Sequence, residues 1–461
     1  RAYPEINEGD AITAIVQINE FNGSLEGEIK KVTRLTGKDF QETKKFIEDT
    51  ERKKSAALEV DFLIKSPILD KLRDRFIKAA TEIRLAILQN RPIIVRHHND
   101  ADGYSSGFAL ERAIIPLIEK QHGPGKAAWE YYMRAPCAAP YYEIDDSIRD
   151  TSNSLRNVAK FSNKMPLIII ADNGSTEQDL IGIQQGKVHG ADFIVIDHHQ
   201  FEEDVISNEV LVHINPFLVG EDGSAFSAGM LCTEFARFVG EVENISQIPG
   251  MAGLADRIDI KNPKAVEDYV KIAEKEGYSR ELLDDIATVI DFVSAKLRFM
   301  EAREYIEVVF GQPREKQKEL VALMAPYINE LEKKGLEMAK TASKIEKFGK
   351  ISLQSLVVEE AFPGFGFYPK PGKCVGMLHD FAQNGMTSGK LVTAGLMNTA
   401  ITFRATDEAN FSVHDFIDYL KQKLPESFVG GGGHKNAGSI SFIPGKRDEV
   451  IKLLHEFLKS R

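Results

Sequence analysis

The sequence predicts an α/β protein with a doubly wound, mainly parallel sheet domain and a smaller α/β domain joined to it by a helical connector, all preceded by an OB-like β domain. Three observations carry this. Between Pro92 and about Ile260, the runs "PIIV", "PLIIIA" and "DFIVI" are short and wholly apolar, as strands covered on both faces must be. Segments of helical character fall between and after them, near 104–120, 176–188 and 229–240. Acids and histidines stand where each apolar run ends. With 461 residues the chain is too long for one core, and the expected divisions are 1–66, 67–293, 294–350 and 351–461.

From Asp10 to Val32 the pattern is strand-like, with Asn22-Gly23 as a hairpin signal. A charged helical piece follows, and "ALEVDFLIK", ending at Lys65, reads as a further strand. Strands interleaved with a helix suit an OB-like barrel, which binds single strands through a basic groove and aromatic platforms. Lys30, Lys31, Arg34, Lys38, Phe40 and Phe21 could supply these, and an accessory strand domain with a solvated basic edge is the even alternative. Ile68, Leu72, Phe76, Ala79, Ile83 and Ile87 then recur at helical spacing.

Residues 280–347 read as mostly helical, their charge run as a solvated face. After the loop "FPGFGFYPKPGK", strands are expected at "CVGML", "KLVTAGLM" and "TAITFRA". A helix near 413–424, a loop "GGGGH", a strand "SISFI" and a terminal helix complete the chain.

Cys137, Cys232 and Cys374 are too scattered for a zinc finger or a disulfide framework and read as reduced core thiols. The formal charge of −11 argues against a protein that coats nucleic acid through bulk charge. It leaves room for an enzyme that grips a few phosphates through metal ions. No apolar run is long enough to cross a bilayer and no signal-peptide pattern is present, so a cytoplasmic protein is expected. Because the chain opens on Arg1 rather than Met, further residues are expected upstream.

The chemistry is concentrated at the strand ends. "IIVRHHNDADG" brings Asp100 and Asp102, "LIIIADNG" brings Asp172, and "FIVIDHH" brings Asp197, His198 and His199. Ligands of open α/β sheets bind beyond the carboxyl ends of the strands, so the three clusters converge on one crevice. One "DADG" alone could be a turn or a helix cap, but three such clusters point to a shared metal site.

"HNDADG", "ADNG", "DHH" and "GLADRID", in that order, resemble motifs I to IV of the DHH phosphoesterases. "GGGGHKNAG" resembles the glycine-histidine signature of the DHHA1 domain of RecJ-type members. With an OB-like module in front, the chain resembles the archaeal RecJ-like exonucleases associated with the helicase-nuclease Hef. That resemblance implies two divalent ions, Mn²⁺ ahead of Mg²⁺ or Co²⁺, since an imidazole among carboxylates suits Mn²⁺. Asp100 would hold one ion and Asp102 the other, Asp172 would bridge, and His198 and Asp256 would complete the second. Asp259, three residues on, is the alternative to Asp256, which the motif favours. Asp197 would orient an imidazole from behind, and His199 would contact the scissile phosphate. Arg404, Gly432, Gly433 and His434 would hold the substrate from the C-terminal domain, the glycines by close backbone approach. Small-substrate members place a metal-binding His four residues before the first Asp. Here Arg96 stands there, as in RecJ-type members; His97 reads as a buried strand residue, and His98 is given no metal role.

The activity implied is two-metal hydrolysis of phosphodiesters in single-stranded DNA or RNA, releasing nucleoside monophosphates, with 3′ to 5′ polarity in repair or replication-fork processing. Single-stranded nucleic acid and a Hef-like helicase or nuclease are the implied partners, no membrane is, and a homo-oligomer is allowed. A nano-RNA or dinucleotide phosphodiesterase would share every metal ligand. Replication scaffolds resembling Cdc45 have lost ligands that this chain keeps, and class II pyrophosphatases lack the glycine-histidine pattern.

Overall fold

The computed structural model describes residues 3, 5–7, 10–21, 24–137, 139–161, 164–297, 303–362, 368–385 and 389–461. The contacts divide it into two compact units, Arg1–Ala56 and Ala57–Arg461.

In the first unit β1 (Ile12–Phe21) pairs antiparallel with β2 (Ser24–Arg34), with a bulge between Ile15 and Val16, and α1 (Gly37–Lys54) follows. The Asn22-Gly23 turn lies outside the described residues. The described residues of this unit do not form the expected OB-like barrel: a barrel of this kind takes about five strands, and they form two. Lys30 pairs with Glu28 at 2.6 Å and Arg34 with Asp10 at 2.7 Å, so these two cations of the expected groove already have acidic neighbours. "ALEVDFLIK" is not a strand. Its apolar residues are satisfied in the second unit, where Phe62 packs at 5.9 Å on Phe76 and 5.5 Å on Phe238. Leu63 N–H donates to both oxygens of Glu234 at 3.0 Å.

The second unit opens with α2 (Pro67–Leu88), buried along the expected stripe, then β3 (Ile93–His97), α3 (Ala101–His122), α4 (Lys126–Tyr131) and β4 (Tyr132–Pro136). There follow α5 (Ile144–Phe161), β5 (Leu167–Ala171), α6 (Glu177–Val188), β6 (Asp192–Ile196) and β7 (Val212–Ile214). The sheet order is β4-β3-β5-β6-β7, all parallel. Counted within this domain, that is the 2-1-3-4-5 winding, whose switch point lies between its first and third strands, β3 and β5. Both faces are covered: Ile93, Val95, Leu167, Ile169 and Ile194 join one core, and Ile94, Ile168, Ile170, Phe193 and Val195 the other. This is why the runs show no alternation in sequence.

Helices α7 (Ala228–Val239), α8 (Gln247–Ala255), α9 (Ile258–Lys261), α10 (Pro263–Glu274), α11 (Arg280–Leu297), α12 (Arg303–Val309) and α13 (Arg314–Ala342) carry the chain onward. The helical connector ends earlier than expected, because β8 (Lys344–Phe348) pairs with β9 (Ile351–Val357). Lys344 to Lys347 are exposed on this edge strand, and charge on an edge reads from sequence as solvated helix.

The C-terminal domain adds α14 (Val358–Ala361), α15 (Pro371–Asn384), β10 (Leu391–Leu396), β11 (Ala400–Ala405), α16 (Val413–Lys423), β12 (Gly430–His434), β13 (Ala437–Ser441) and α17 (Arg447–Lys459). Its sheet order is β12-β13-β11-β10-β9-β8. Two expectations are corrected. "CVGML" lies in α15, since a short apolar run cannot tell a strand from a buried helix turn and Pro371 stands at the helix start. "GGGGH" is not a loop but the edge strand β12, paired to β13 from Gly430↔Ser441 to His434↔Ala437. Cys137, Cys232 and Cys374 are buried free thiols. No helix among the described residues is long and apolar enough to cross a membrane.

Candidate metal centre

The site stands at the carboxyl ends of β3, β5 and β6. After His97 the chain turns through His98 and Asn99, and Asp100 caps α3, its Oδ1 accepting from Gly103 N–H at 2.9 Å. Asp100 can thus cap the helix and still offer a ligand atom, because Oδ2 is turned the other way and faces His98 Nδ1 at 2.8 Å. A Cβ on Gly103 would overlap the His98 carbonyl oxygen, which explains the glycine of "DADG". Asp102, in the first turn of α3, is buried and takes two backbone N–H groups from the start of α7, Ala228 on Oδ2 at 2.8 Å and Gly229 on Oδ1 at 2.9 Å.

Asp172 follows the last residue of β5, and its φ of +60° is left-handed. Asp tolerates that conformation better than most residues, and local strain of this kind collects at functional sites. Its Oδ2 is buried and accepts no hydrogen bond among the described residues. It lies 3.6 Å from His98 Nδ1, while Oδ1 lies 3.4 Å from His198 Nε2.

His198 is 1% exposed. Its Nδ1 sits 3.3 Å from the Gly223 carbonyl, an acceptor only, so in a neutral ring this nitrogen carries the hydrogen and Nε2 is left to bind a cation. Nε2 faces Asp172 at 3.4 Å, Asp256 at 3.7 Å and Asp102 at 3.9 Å. Asp197 is fully buried and orients this region from behind, accepting from His199 Nδ1 at 2.8 Å, His198 N–H at 2.8 Å, His199 N–H at 3.2 Å and Ser175 N–H at 3.2 Å. Asp256 ends α8 and points into the cluster, whereas Asp259 is taken by Arg280 at 2.7 Å.

Among the described residues four sets of donors have their ligand atoms within 4.8 Å of one another. Two of them, His198, His199 and His434 and Asp172, Asp197 and His199, include His199; the other two are His98, Asp100 and Asp172, and Asp102, His198 and Asp256. Asp172 turns one oxygen toward each of these last two. His98 is the member that sequence reasoning passed over. The adjacent Asp was visible, but not that the turn after β3 folds the imidazole back onto it.

The electrostatics suit cations. Burial, then the carboxylates of Asp172 and Asp256, push the Asp102 carboxyl well above its ordinary range. Burial also raises Asp256, with Asp172 and Asp100 adding to it and His198 opposing. Burial would raise Asp100 as well, but His98 outweighs it and holds that carboxyl low. Crowded carboxylates, an imidazole nitrogen aimed among them and an orphaned buried oxygen fit divalent ions.

The C-terminal domain closes over this cluster. His434 stacks on His199 with ring centroids 5.1 Å apart and meets His198 edge-on at 5.2 Å. Burial, and then His199 and His198, push the His434 imidazole well below its usual value, so it is neutral. Burial would lower His199, yet Asp197 beside it wins and raises it. Arg404 lies among Asp256, Arg257 and Asp380, and burial lowers its pKa from the usual arginine range while the guanidinium stays charged. On β12, Gly431 (φ +151°) and Gly433 (φ +118°) have backbone that other residues rarely adopt, and a Cβ on Gly431 would overlap the Ser439 carbonyl. At Gly432 a Cβ would meet nothing within 4 Å, so that face is open. Asp100, Asp102, Asp172, Asp197, His198, His199, Asp256, Arg404 and His434 therefore come close together, with Gly432 and Gly433 beside His434 on β12.

A second omission is Lys370. Its ammonium donates to the Asn99 carbonyl at 2.6 Å and to Ser294 Oγ at 2.7 Å, tying the start of α15 to the turn that carries Asp100. Asp291 Oδ1 holds the same turn through Ala101 N–H at 3.0 Å. Neither residue belongs to a motif, so sequence offered no signal.

Comparisons with known proteins agree with this geometry. Residues 92–254 match the model of the DHH family, N-terminal domain. An uncharacterized protein of Methanocaldococcus jannaschii is 36% identical over 490 residues, covering 100% of this chain; the chain spans 64% of that protein's length. The solved DHH domain of a member of the s1p family of ribosomal proteins is 34% identical, with a TM-score of 0.83 over 91% of this chain and 98% of that one. RecJ from Thermus thermophilus, in complex with Mn²⁺, shares the fold at a TM-score of 0.58 and 15% identity, over 87% of this chain and 56% of that one. The chain belongs to the DHH family.

Proposed function

We propose that the protein is a metal-dependent phosphodiesterase that removes nucleoside monophosphates from single-stranded nucleic acid, with 3′ to 5′ polarity. The observation that carries this reading is the pair of donor sets sharing Asp172, with His198 Nε2 aimed at three carboxylates. The first set would be His98, Asp100 and Asp172, and the second Asp102, Asp172, His198 and Asp256. The Mn²⁺ in the RecJ structure of the same fold favours that ion. A bound divalent pair would supply an activated water and Lewis-acid stabilisation of the phosphoryl oxygens.

The chain's own groups do the rest. Asp197 fixes the His199 ring and favours its protonated form, so His199 presents positive charge to a phosphodiester. Arg404 adds a guanidinium from the opposite wall, and neutral His434 adds a hydrogen-bonding edge above His199. Gly432 leaves room for the sugar-phosphate backbone.

The test is digestion of 5′- and 3′-labelled DNA and RNA 12-mers with Mn²⁺, alongside the same reaction with chelator and with Asp172→Asn. Stepwise release of mononucleotides from the 3′ end, lost in both controls, is expected. A wild-type protein that cleaves none of the substrates, or an unaffected Asp172→Asn, would sink the reading.

A further inference from the structure

Phe428 is 80% exposed and has a φ of +49°. A single exposed aromatic ring is ordinary on a protein surface. A bulky residue in left-handed backbone is not, because its Cβ crowds the following carbonyl. The turn Pro425–Ser427 ends on Phe428, whose N–H donates to the Pro425 carbonyl at 3.3 Å. Gly or Asn at this position would close the same turn without strain. The fold therefore holds a large apolar ring in water, in a conformation that disfavours it, and no packing in the described residues repays this.

Its position supplies a reason. Phe428 stands two residues before Gly430, the first residue of β12, and the strand runs from there to His434 above the candidate metal centre. Side chains alternate along a strand, so Gly430, Gly432 and His434 share a face. At Gly432 that face is open for 4 Å, and at Gly430 an added Cβ would touch only Ser441 Oγ, at 3.7 Å. Near the Gly430 end, Tyr141 of the loop after β4 reaches across and sets its hydroxyl against Ser441. A face to which β12 itself adds no side chain at Gly432 and Gly430 thus leads from His434 to a point where one aromatic residue comes from each domain.

We propose that the open face of β12, from His434 through Gly432 and Gly430 to Phe428, is a track for a single nucleic-acid strand, with Phe428 as a base-stacking platform that favours long strands over dinucleotides. It rests on the single-strand reading above. Strand rise is ~3.3 Å per residue, so the six steps from His434 to Phe428 span at most about 20 Å. A stacked strand rises ~3.4 Å per nucleotide, which puts the platform within about six nucleotides of the scissile phosphate. A dinucleotide cannot reach it. Base-aromatic stacking is indifferent to sequence, as an exonuclease needs.

Phe428→Gly removes the ring and keeps the left-handed turn, and Phe428→Trp keeps a ring. For a labelled single-stranded 12-mer, Phe428→Gly is expected to raise KM about tenfold, the loss of one stacked base, with kcat little changed. The ratio of kcat/KM for the 12-mer over that for a dinucleotide should fall by the same factor, and Phe428→Trp should restore it. Thermal melting of Phe428→Gly at or above the wild-type midpoint would show that the fold survives. A 12-mer KM within twofold of wild type, or an equal loss on both substrates, overturns the track. Fluorescence anisotropy of the labelled 12-mer keeps the question separate from catalysis. If the wild type hydrolyses nothing yet Phe428→Gly weakens binding about tenfold, the phosphodiesterase reading fails and the track stands; unchanged binding removes the track itself.

Discussion

The two sheets that face each other across the cleft handle polar groups in opposite ways. In the parallel sheet, charge is buried and pinned: Asp102 takes two backbone N–H groups, Asp197 takes four hydrogen bonds, and His198 is fixed by the Gly223 carbonyl. In the C-terminal sheet the facing strand is glycine backbone followed by one imidazole. The first wall is preorganised to hold charge at fixed positions. On the proposed reading, the second is the surface along which a polymer would pass. On that reading the difference would divide chemistry from capture, and each variant below should fall on one side of that line.

The largest effect belongs to the charged wall. Asp172→Asn or His198→Ala should lower kcat by on the order of 10³-fold or more, since metal-borne stabilisation is worth several kcal/mol. The metal-free folds should be kept, and Asp172→Asn should melt no lower than wild type in chelator, because it relieves the repulsion that raises Asp102. His434→Ala, on the other wall, should instead raise KM and largely spare kcat. Similar effects on kcat in both would erase the division.

The parallel-sheet domain should also be the acid-sensitive one. His213 on β7 is buried between Ser175 Oγ at 2.8 Å and Ser207 Oγ at 3.0 Å, and burial pushes it down to about 4 despite Asp204. Its unfolded value is ~6.5. Between pH 6.5 and 4 the unfolded chain binds a proton that the folded chain refuses, so stability falls as pH falls through that window. The loss is at most about 3 kcal/mol. Melting wild type and His213→Gln at pH 7 and 5 checks this, and a drop of equal size in both would exclude His213 as its source.

Asp197→Asn keeps the shape of the carboxylate and removes its charge. A roughly 10–100-fold loss of activity or metal affinity is expected, as for other groups that orient a ligand from behind. Calorimetric titration with Mn²⁺ beside a turnover assay would register it.

The legibility of the sequence followed the same line. The strands β3, β5 and β6 could be read because both faces are buried, which leaves uninterrupted apolar runs. The acids at their ends could be read because a parallel sheet places its ligands there. The partly exposed short strand β4 and three-residue β7 left too little pattern to see. Contacts made by single side chains across the fold, such as Lys370 on Asn99 or His98 on Asp100, carry no periodicity and were invisible. β12 failed for a physical reason: glycine has no strand propensity, and only its pairing with β13 makes it one.

That pairing can be probed directly. Gly431→Ala forces a Cβ against the Ser439 carbonyl in a backbone region alanine avoids, and should destabilise the protein by about 1–2 kcal/mol or more. Gly432→Ala adds the same methyl to open space and should leave the melting midpoint nearly unchanged. If the two melt alike, β12 is not the strained edge described here.

The smallest effect separates two neighbouring acids of the fourth motif. Asp259 lies three residues after Asp256 in "GLADRID", and the motif favours Asp256 as the ligand. Asp256 faces His198 Nε2 at 3.7 Å from the end of α8, whereas Arg257 in left-handed backbone turns the chain and carries Asp259 away to Arg280. That ion pair is partly exposed, and such pairs contribute ~0–1 kcal/mol. Asp259→Asn should therefore keep turnover within about twofold and shift the melt slightly, whereas Asp256→Asn should join the severe class of Asp172. Turnover collapsing in Asp259→Asn while Asp256→Asn stays active would mean that the second donor set is closed by the wrong residue, and the charged wall would have to be redrawn around α9.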